Sequence, residues 1–288
     1  MEEAVFKLRP YLFAVAYNIL AEVQEAEDIV QESFEYYLSL KENYVKVPKS
    51  YLTRVVANKS IDRLKILKKQ RESYPGIWLP EPYIHETRSE DMADEGIMNF
   101  EVLDALKSLN AVERAVFVLR EAFNVPYSEV ALICNVTTAN CRQILKRTRQ
   151  KIASPKAKKD VPDVEIIHLM ENFLQAIIDE DLSVLTRLLK EDIVLYSDGG
   201  GKATAALHPL INKNIVTKFL FGLGRKNRDS PFTISFIRVN HQLGVLLSTS
   251  RGPENIMTFE VEQNSINKIY IIRNPDKLFF AKELSQSH

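Results

Sequence analysis

Residues 127–152, YSEVALICNVTTANCRQILKRTRQKI, join side chains that read base edges to cations that neutralise phosphate. Arg142 carries the forked donors that pair with guanine in a major groove, and Gln143 the amide that pairs with adenine. Lys146, Arg147 and Arg149 are suited to phosphates, which fix register without reading sequence. Thr138 and Ala139 stand at the start of the same run. This is binding chemistry. Residues for covalent chemistry are sparse. Asp198, His208 and His241 can be read as an acid–base set, but nothing in their spacing brings them together. Cys134 and Cys141 are the only two cysteines. They cannot build a disulfide scaffold or a four-cysteine zinc site, and they read as small apolar core groups. We expect no catalytic residue, no metal and no cofactor.

The elements that must hold the base-reading residues follow from pattern. Tyr127 to Ile133 has the length of a short helix, with Ser128 placed to help cap it. Cys134-Asn135-Val136 is a tight turn, and Asn135 tolerates the left-handed backbone that such a turn needs. Thr137 or Thr138 caps a longer second helix. At 100° per residue Cys141, Ile144, Leu145, Thr148 and Ile152 share one face. Ala139, Gln143, Lys146 and Gln150 share the other, flanked by Arg142 and Arg147. This is a helix-turn-helix, whose second helix meets the major groove. An ordinary helical hairpin with a basic exposed face is the competing interpretation.

Charge is segregated along the chain. Its 38 basic and 38 acidic residues cancel. Yet residues 41–71 hold ten cations against Glu42 and Asp62, and residues 142–159 hold eight cations and no acid. Two basic patches suit a two-point contact with nucleic acid, although solvated helix faces also carry such runs. A composition of 45% apolar and 26% charged residues argues against a disordered, collagenous or membrane-embedded chain. The N-terminus lacks the basic-then-apolar order of a signal peptide. No run reaches the ~18 apolar residues of a spanning helix. A cytoplasmic protein with reduced thiols and no membrane partner is expected.

Five segments emerge. Residues 1–72 are helical, with apolar residues at spacings of three and four, and Pro48 with Ser50 marks a helix start. Residues 73–96 hold prolines, glycines, acids and the single Trp, and read as a linker. Residues 97–153 are helical again, and 154–162 form a second linker. Residues 163–288 give helices over 163–190 and 212–223. Strands are expected over 192–197, 231–239, 243–249, 256–262 and 266–273. The fold class expected is multidomain: two all-α domains followed by an α+β domain.

The two helical blocks resemble regions two and four of bacterial extracytoplasmic-function (ECF) sigma factors. AEDIVQESFEYYL (26–38) resembles the region-two helix that docks on core RNA polymerase. PKSYLTRVVANKSIDRLK (48–65) resembles the segment that engages the −10 element, with Tyr51, Leu52, Val56, Ala57, Asn58 and Asp62 in the family's pattern. Tyr51 replaces the usual Trp, and Lys65 replaces a final Arg. Residues 126–152 resemble region four, which binds the −35 element. The remainder resembles the SigJ-type subgroup, which carries a SnoaL-like, cone-shaped domain. Three motifs support that: WLPEP (Trp78, Leu79, Pro80, Glu81, Pro82), DGGGK (Asp198, Gly199, Gly200, Gly201, Lys202) and NPDKL (Asn274, Pro275, Asp276, Lys277, Leu278).

The resemblance implies a sigma factor restrained in cis by its C-terminal domain, and not an enzyme. Its partners would be core RNA polymerase, promoter DNA and, within the chain, the C-terminal domain itself. Polymerase would take the acidic face of Asp28, Gln31, Glu32 and Glu35, with Phe34 as an apolar anchor. The −10 DNA would take Lys46, Lys49, Tyr51, Arg54, Asn58, Lys59 and Arg63, as cations for the backbone and flat or polar groups for splayed bases. The −35 DNA would take Thr138, Ala139, Arg142, Gln143, Lys146, Arg147 and Arg149. The three short motifs would supply regulatory contacts. A stiff proline segment loses little entropy on docking, so it can carry Trp78 into a groove. Two alternatives remain open: a ligand-responsive helix-turn-helix regulator, and a SnoaL-like enzyme fused to a DNA-binding module.

Overall fold

Helix α1, Arg9–Leu20, starts with Pro10 in its first turn, where a missing N–H costs nothing, and ends at Ala21 in the left-handed region, φ 58°. Every residue from Leu12 to Leu20 is buried, so this helix is the core of its bundle. Helices α2 (Val23–Leu38) and α3 (Pro48–Arg71) pack around it. From α2, Ala26, Ile29, Val30, Ser33 and Phe34 turn inward; from α3, Leu52, Val56, Ile61 and Leu64 do so. Each such Leu, Ile or Val contributes about 1.5–3 kcal/mol by leaving water.

In this computed structural model the described residues are 5–41, 45–85, 96–152, 162–227, 232–279 and 281. The chain divides into two compact units, Met1–Ser73 with Ser89–Pro155, and Tyr74–Arg88 with Lys156–His288. The first unit continues with α4 (Phe100–Leu106), α5 (Ala111–Glu121), α6 (Tyr127–Ile133) and α7 (Thr138–Lys151). Helix α5 begins with a capping box: Asn110 accepts from the Glu113 N–H, and the Glu113 side chain accepts from the Asn110 N–H. Helix α5 packs on α1 and α3 as well as on α6 and α7.

The second unit holds α8 (Asp163–Ile178), α9 (Leu182–Leu188) and α10 (Lys213–Asn227) against one seven-stranded sheet. Its strands are β1 (Ile84–His85), β2 (Leu189–Asp198), β3 (Leu210–Ile211), β4 (Thr233–Val239), β5 (Gln242–Thr249), β6 (Gly252–Glu262) and β7 (Ser265–Ile272). The order is β1-β4-β5-β6-β7-β2-β3. All neighbours are antiparallel except β2 and β7. A core of Phe173, Leu185, Val216, Leu220, Met257 and Ile269 fills the space between helices and sheet. This is the α+β domain that the sequence leads one to expect.

Two strands, β1 and β3, are of two residues each and escape periodicity. Strand β1 belongs to the stretch read as linker. It pairs with β4, Ile84 opposite Val239, so residues 74–85 are built into the second unit. The rest of that acidic stretch, 86–95, and the second linker over 154–161, with its cations Lys156, Lys158 and Lys159, lie outside the described residues. Ser128 does not cap α6: the N-cap is Pro126, with no side-chain bond, because Ser128 lies inside the first turn.

Candidate nucleic-acid interface

The helix-turn-helix is built as its residues dictate. Cys134 ends α6, Asn135 turns with φ 52°, and the Thr137 hydroxyl caps α7 by accepting from the Asn140 N–H at 3.1 Å. Cys141, Ile144, Leu145 and Thr148 are buried under α7, and Ile152 below them is buried too. Ala139, Arg142, Gln143, Lys146, Arg147 and Arg149 are exposed, with Thr138 half-buried. The apolar seam therefore turns the cation-and-amide face to solvent. Arg149 pairs with Glu121 of α5 at 2.7 Å, and the Arg142 guanidinium lies 5.1 Å from the Tyr127 ring centre. Lys146 and Arg147 have no ion pair among the described residues. Both cysteines are buried, and burial pushes the Cys134 thiol up to about 12. That is the state of a core thiol.

Lys46, just before α3, is exposed, as are Lys49 and Arg54 along it, while Tyr51, Asn58, Lys59 and Arg63 are half-buried. Tyr51 lies 6.4 Å from Tyr37, ring centre to ring centre, and the Lys49 ammonium sits 4.3 Å above the Tyr11 ring. Arg63 makes a two-point bond to Glu25, and Lys59 meets Glu32 at 2.6 Å. Thus Glu32 and Lys59, assigned to different partners, hold each other here. Their side chains are 60% and 38% exposed, and a pair this open to water contributes about 0–1 kcal/mol, so either side can exchange it. Asp28, Gln31 and Glu35 are exposed on α2. Phe34 departs from its expected role as a surface anchor. It is 5% exposed and packs on Phe6, ring centres 5.2 Å apart. Helical spacing from Ile29 and Val30 rotates it to the inner face; Phe6, 46% exposed, is the outer ring of this pair.

A polar joint binds the two helical blocks of the first unit. The Asn18 amide donates to the Gly96 carbonyl at 2.6 Å and its oxygen accepts from the Met98 N–H at 2.9 Å. Lys68 donates to the carbonyls of Lys107 and Leu109. Arg114 is wholly buried and donates from Nε to the Asn18 carbonyl at 3.0 Å. Its other two nitrogens have no hydrogen-bond partner, and burial pulls the guanidinium down to about 9. Sequence reasoning missed Asn18, Lys68 and Arg114. Only the run of apolar residues around Arg114, AVERAVFVL, hints that this cation faces inward.

In the second unit the three short motifs converge on Asp198, which is 0% exposed. Its Oδ1 accepts from the Tyr74 hydroxyl at 2.5 Å and from the Gly200 N–H at 3.0 Å. Its Oδ2 accepts from the Leu79 N–H at 2.9 Å and the Lys277 ammonium at 2.7 Å. Lys277 also donates to the Leu79 carbonyl and sits 4.4 Å from the Trp78 ring centre. Asn274 donates to the Tyr74 oxygen at 2.9 Å. Leu79, Pro80, Glu81, Pro82 and Leu278 are buried, and Trp78 is half-buried. Gly200 stands at φ 60°, where an added Cβ would fall 2.5 Å from the Asn274 side chain, so glycine is required. Gly199 and Gly201 are equally tight, against the Ala203 carbonyl and Pro75. Lys202 and Asp276 close the outer edge with an exposed ion pair, 2.6 Å, next to exposed Pro275. Desolvation and the neighbouring Asp198 carboxylate keep the Tyr74 hydroxyl protonated. Asp198 is thereby fully engaged, and His208 is exposed, so the suggested acid–base set does not assemble.

Residues 5–70 match the family Sigma-70 region 2, and residues 99–152 match Sigma-70, region 4. The chain is 30% identical to the ECF RNA polymerase sigma factor SigJ of Mycobacterium tuberculosis over 292 residues, covering 96% of this chain and 93% of that one. The chain belongs to the ECF sigma factors. It is also 25% identical over 275 residues to the probable ECF RNA polymerase sigma factor SigI of the same species, covering 94% and 92% of the two chains. The crystal structure of M. tuberculosis SigJ superimposes with a TM-score of 0.76 at 28% identity, covering 95% of this chain and 97% of that one. An ECF sigma factor is a transcription-initiation factor that binds core RNA polymerase and promoter DNA; it is not an enzyme. Among the described residues of this sigma factor, no helix is long and apolar enough to cross a membrane.

Proposed function

We propose that this ECF sigma factor reads a −35 element with α7 and a −10 element with α3, and that its polar joint must open for both to be read. Two elements whose names place them ~25 base pairs apart lie about 85 Å apart along B-form DNA. A compact body of 140 residues has a radius of gyration of about 14 Å. Such a body cannot span the distance with the joint at Asn18, Lys68 and Arg114 closed. That joint is the observation that carries the reading. A buried guanidinium with two unpaired nitrogens is expensive to keep, so the closed form gives up little when it opens. Arg142 and Gln143 take base edges; Lys146, Arg147 and Arg149 take phosphates; Thr138 and Ala139 lie at the groove-facing end. Lys46, just before α3, and Lys49, Arg54, Lys59 and Arg63 on it hold backbone, and Tyr51 and Asn58 meet bases. The Asp28, Gln31, Glu32 and Glu35 face meets a basic surface of polymerase, with Phe34 supporting Phe6 beneath it.

The second unit restrains this opening in cis, in the cytoplasm where polymerase acts. Support comes from the Asp198 clamp. Only Glu72 and Ser73 separate the end of α3 from Tyr74 in sequence, so the clamp shortens the free tether between regions two and four. Residues 1–159 hold 24 basic and 22 acidic residues, and 160–288 hold 14 and 16, so bulk charge is too weak to restrain; contacts must do it.

The test is the distance between spin labels at Lys46→Cys and Lys146→Cys. The free protein should give one short distance, and the polymerase–promoter complex one longer by tens of ångströms, from the same estimate of DNA length. An unchanged distance in a transcribing complex would refute the opening.

A further inference from the structure

A cavity of about 190 Å³ lies between the sheet of the second unit and helices α8 and α10. Its body is apolar, lined by Leu174, Ile177, Leu220, Leu223, Leu247 and Met257. One end is polar, and strand register explains why. Leu247 of β5 stands opposite Asn255 of β6. Ile256 stands opposite Ile272, so Arg273, one residue past β7, comes opposite Asn255. Directly opposed residues share a face. The next row inward on this face is Val245, Met257 and Ile271, all core residues. Asn255 and Arg273 thus border the cavity where the apolar rows end.

Two of their polar atoms lack a complement. Asn255 is 4% exposed, and its Oδ1 has no hydrogen-bond partner; nor does Arg273 Nε. The rest of the rim is already paired. Arg273 donates to the Thr204 carbonyl through its terminal nitrogen. Glu254 is held by Thr249 at 3.2 Å and Arg251 at 3.5 Å. An unpaired acceptor and an unpaired donor on opposed residues at the end of an apolar chamber set the chemistry of an occupant. Leaving two buried polar atoms unpaired costs about 1–3 kcal/mol each, so a hydrocarbon fits poorly. An anion would meet Arg273 but would also face Asn255 Oδ1 and the Glu254 carboxylate. Apolar cavities of about 150 Å³ accept a benzene ring, which sets the size.

We propose that this cavity is a binding site for a small neutral molecule made of one apolar ring and a carboxamide-type head, the head N–H donating to Asn255 Oδ1 and its carbonyl accepting from Arg273 Nε. The site stands apart from the promoter reading and does not depend on it. Its place in the chain matters nonetheless. Arg273 precedes Asn274, and its N–H donates to the Asp198 carbonyl at 2.7 Å, so an occupant would rest on the strand end that carries the clamp.

Three probes of one ring size test it on the intact protein: benzamide, benzoate and ethylbenzene. Binding is followed by NMR through ligand saturation transfer and the Asn255 side-chain and Arg273 Nε–H signals. Benzamide should bind at least about fivefold more tightly than either other probe, the factor that 1 kcal/mol of satisfied polar pairing gives, and should shift both signals. Asn255→Leu should invert the order and favour ethylbenzene. Equal or tighter binding of ethylbenzene or benzoate to the unmodified protein, or no binding of any probe, overturns the proposal, and that ranking needs no variant to fold.

Discussion

Asp198 and Lys277 form an ion pair at 2.7 Å whose side chains are 0% and 8% exposed. A charge pair so deeply buried is sustained by its hydrogen bonds. Asp198 gains two backbone N–H groups and a tyrosine hydroxyl; Lys277 gains the Leu79 carbonyl and an aromatic face. Together they join segments more than a hundred residues apart in sequence.

Lys277→Met should therefore be severe. It strands the Asp198 carboxylate in a dry site and should cost the second unit about 3–5 kcal/mol in denaturant unfolding. Adding Asp198→Asn removes the stranded charge and should recover part of that loss. A cost below about 1 kcal/mol for Lys277→Met, the range of a surface pair, would show that the clamp is not structural.

Trp78 is the sole tryptophan, so intrinsic fluorescence reports the clamp directly. Gly200→Ala should redden and quench that signal, since its Cβ meets Asn274. Trp78→Ala should increase the separation of the folded parts seen by small-angle scattering and raise promoter-dependent transcription. An unchanged scattering profile would contradict the restraining role of the linker.

Arg114→Met tests the joint from the other side. Replacing a half-satisfied buried cation with an apolar side chain of similar volume should stabilise the first unit by about 1–4 kcal/mol. If the joint has to open, initiation should fall as stability rises. A variant that is both more stable and fully active would separate the joint from function.

The helix-turn-helix divides its work between residues. Arg142→Ala should cost about 1–3 kcal/mol and relax base preference at one −35 position. Lys146→Ala should weaken all promoters alike and lower the salt slope by about one. Competition binding with the polymerase complex at several salt concentrations distinguishes these patterns.

The helix-turn-helix was legible because its signals are local: Asn135 in the turn, a threonine cap and a 3.6-residue apolar stripe. The strands from β4 to β7 were legible from their Val, Ile and Phe content. What escaped lies in long-range pairing. Strand β1 is two residues long and forms only because β4 offers an edge to residues 84–85. Tyr74 carries no sign that it reaches Asp198, 124 positions away. Phe34 was placed by its acidic neighbours, whereas Ile29 and Val30 set its side of the helix. Arg114 was missed because a buried arginine contradicts the composition rule for cores; its bond to the Asn18 carbonyl crosses 96 positions of sequence.

The most direct measurement is run-off transcription with purified core RNA polymerase on templates bearing −35 and −10 elements, comparing the protein with its Arg114→Met variant. The account predicts a transcript with a defined start that depends on the protein and is weaker with the variant. No protein-dependent transcript, or a stronger one from the variant, would contradict it.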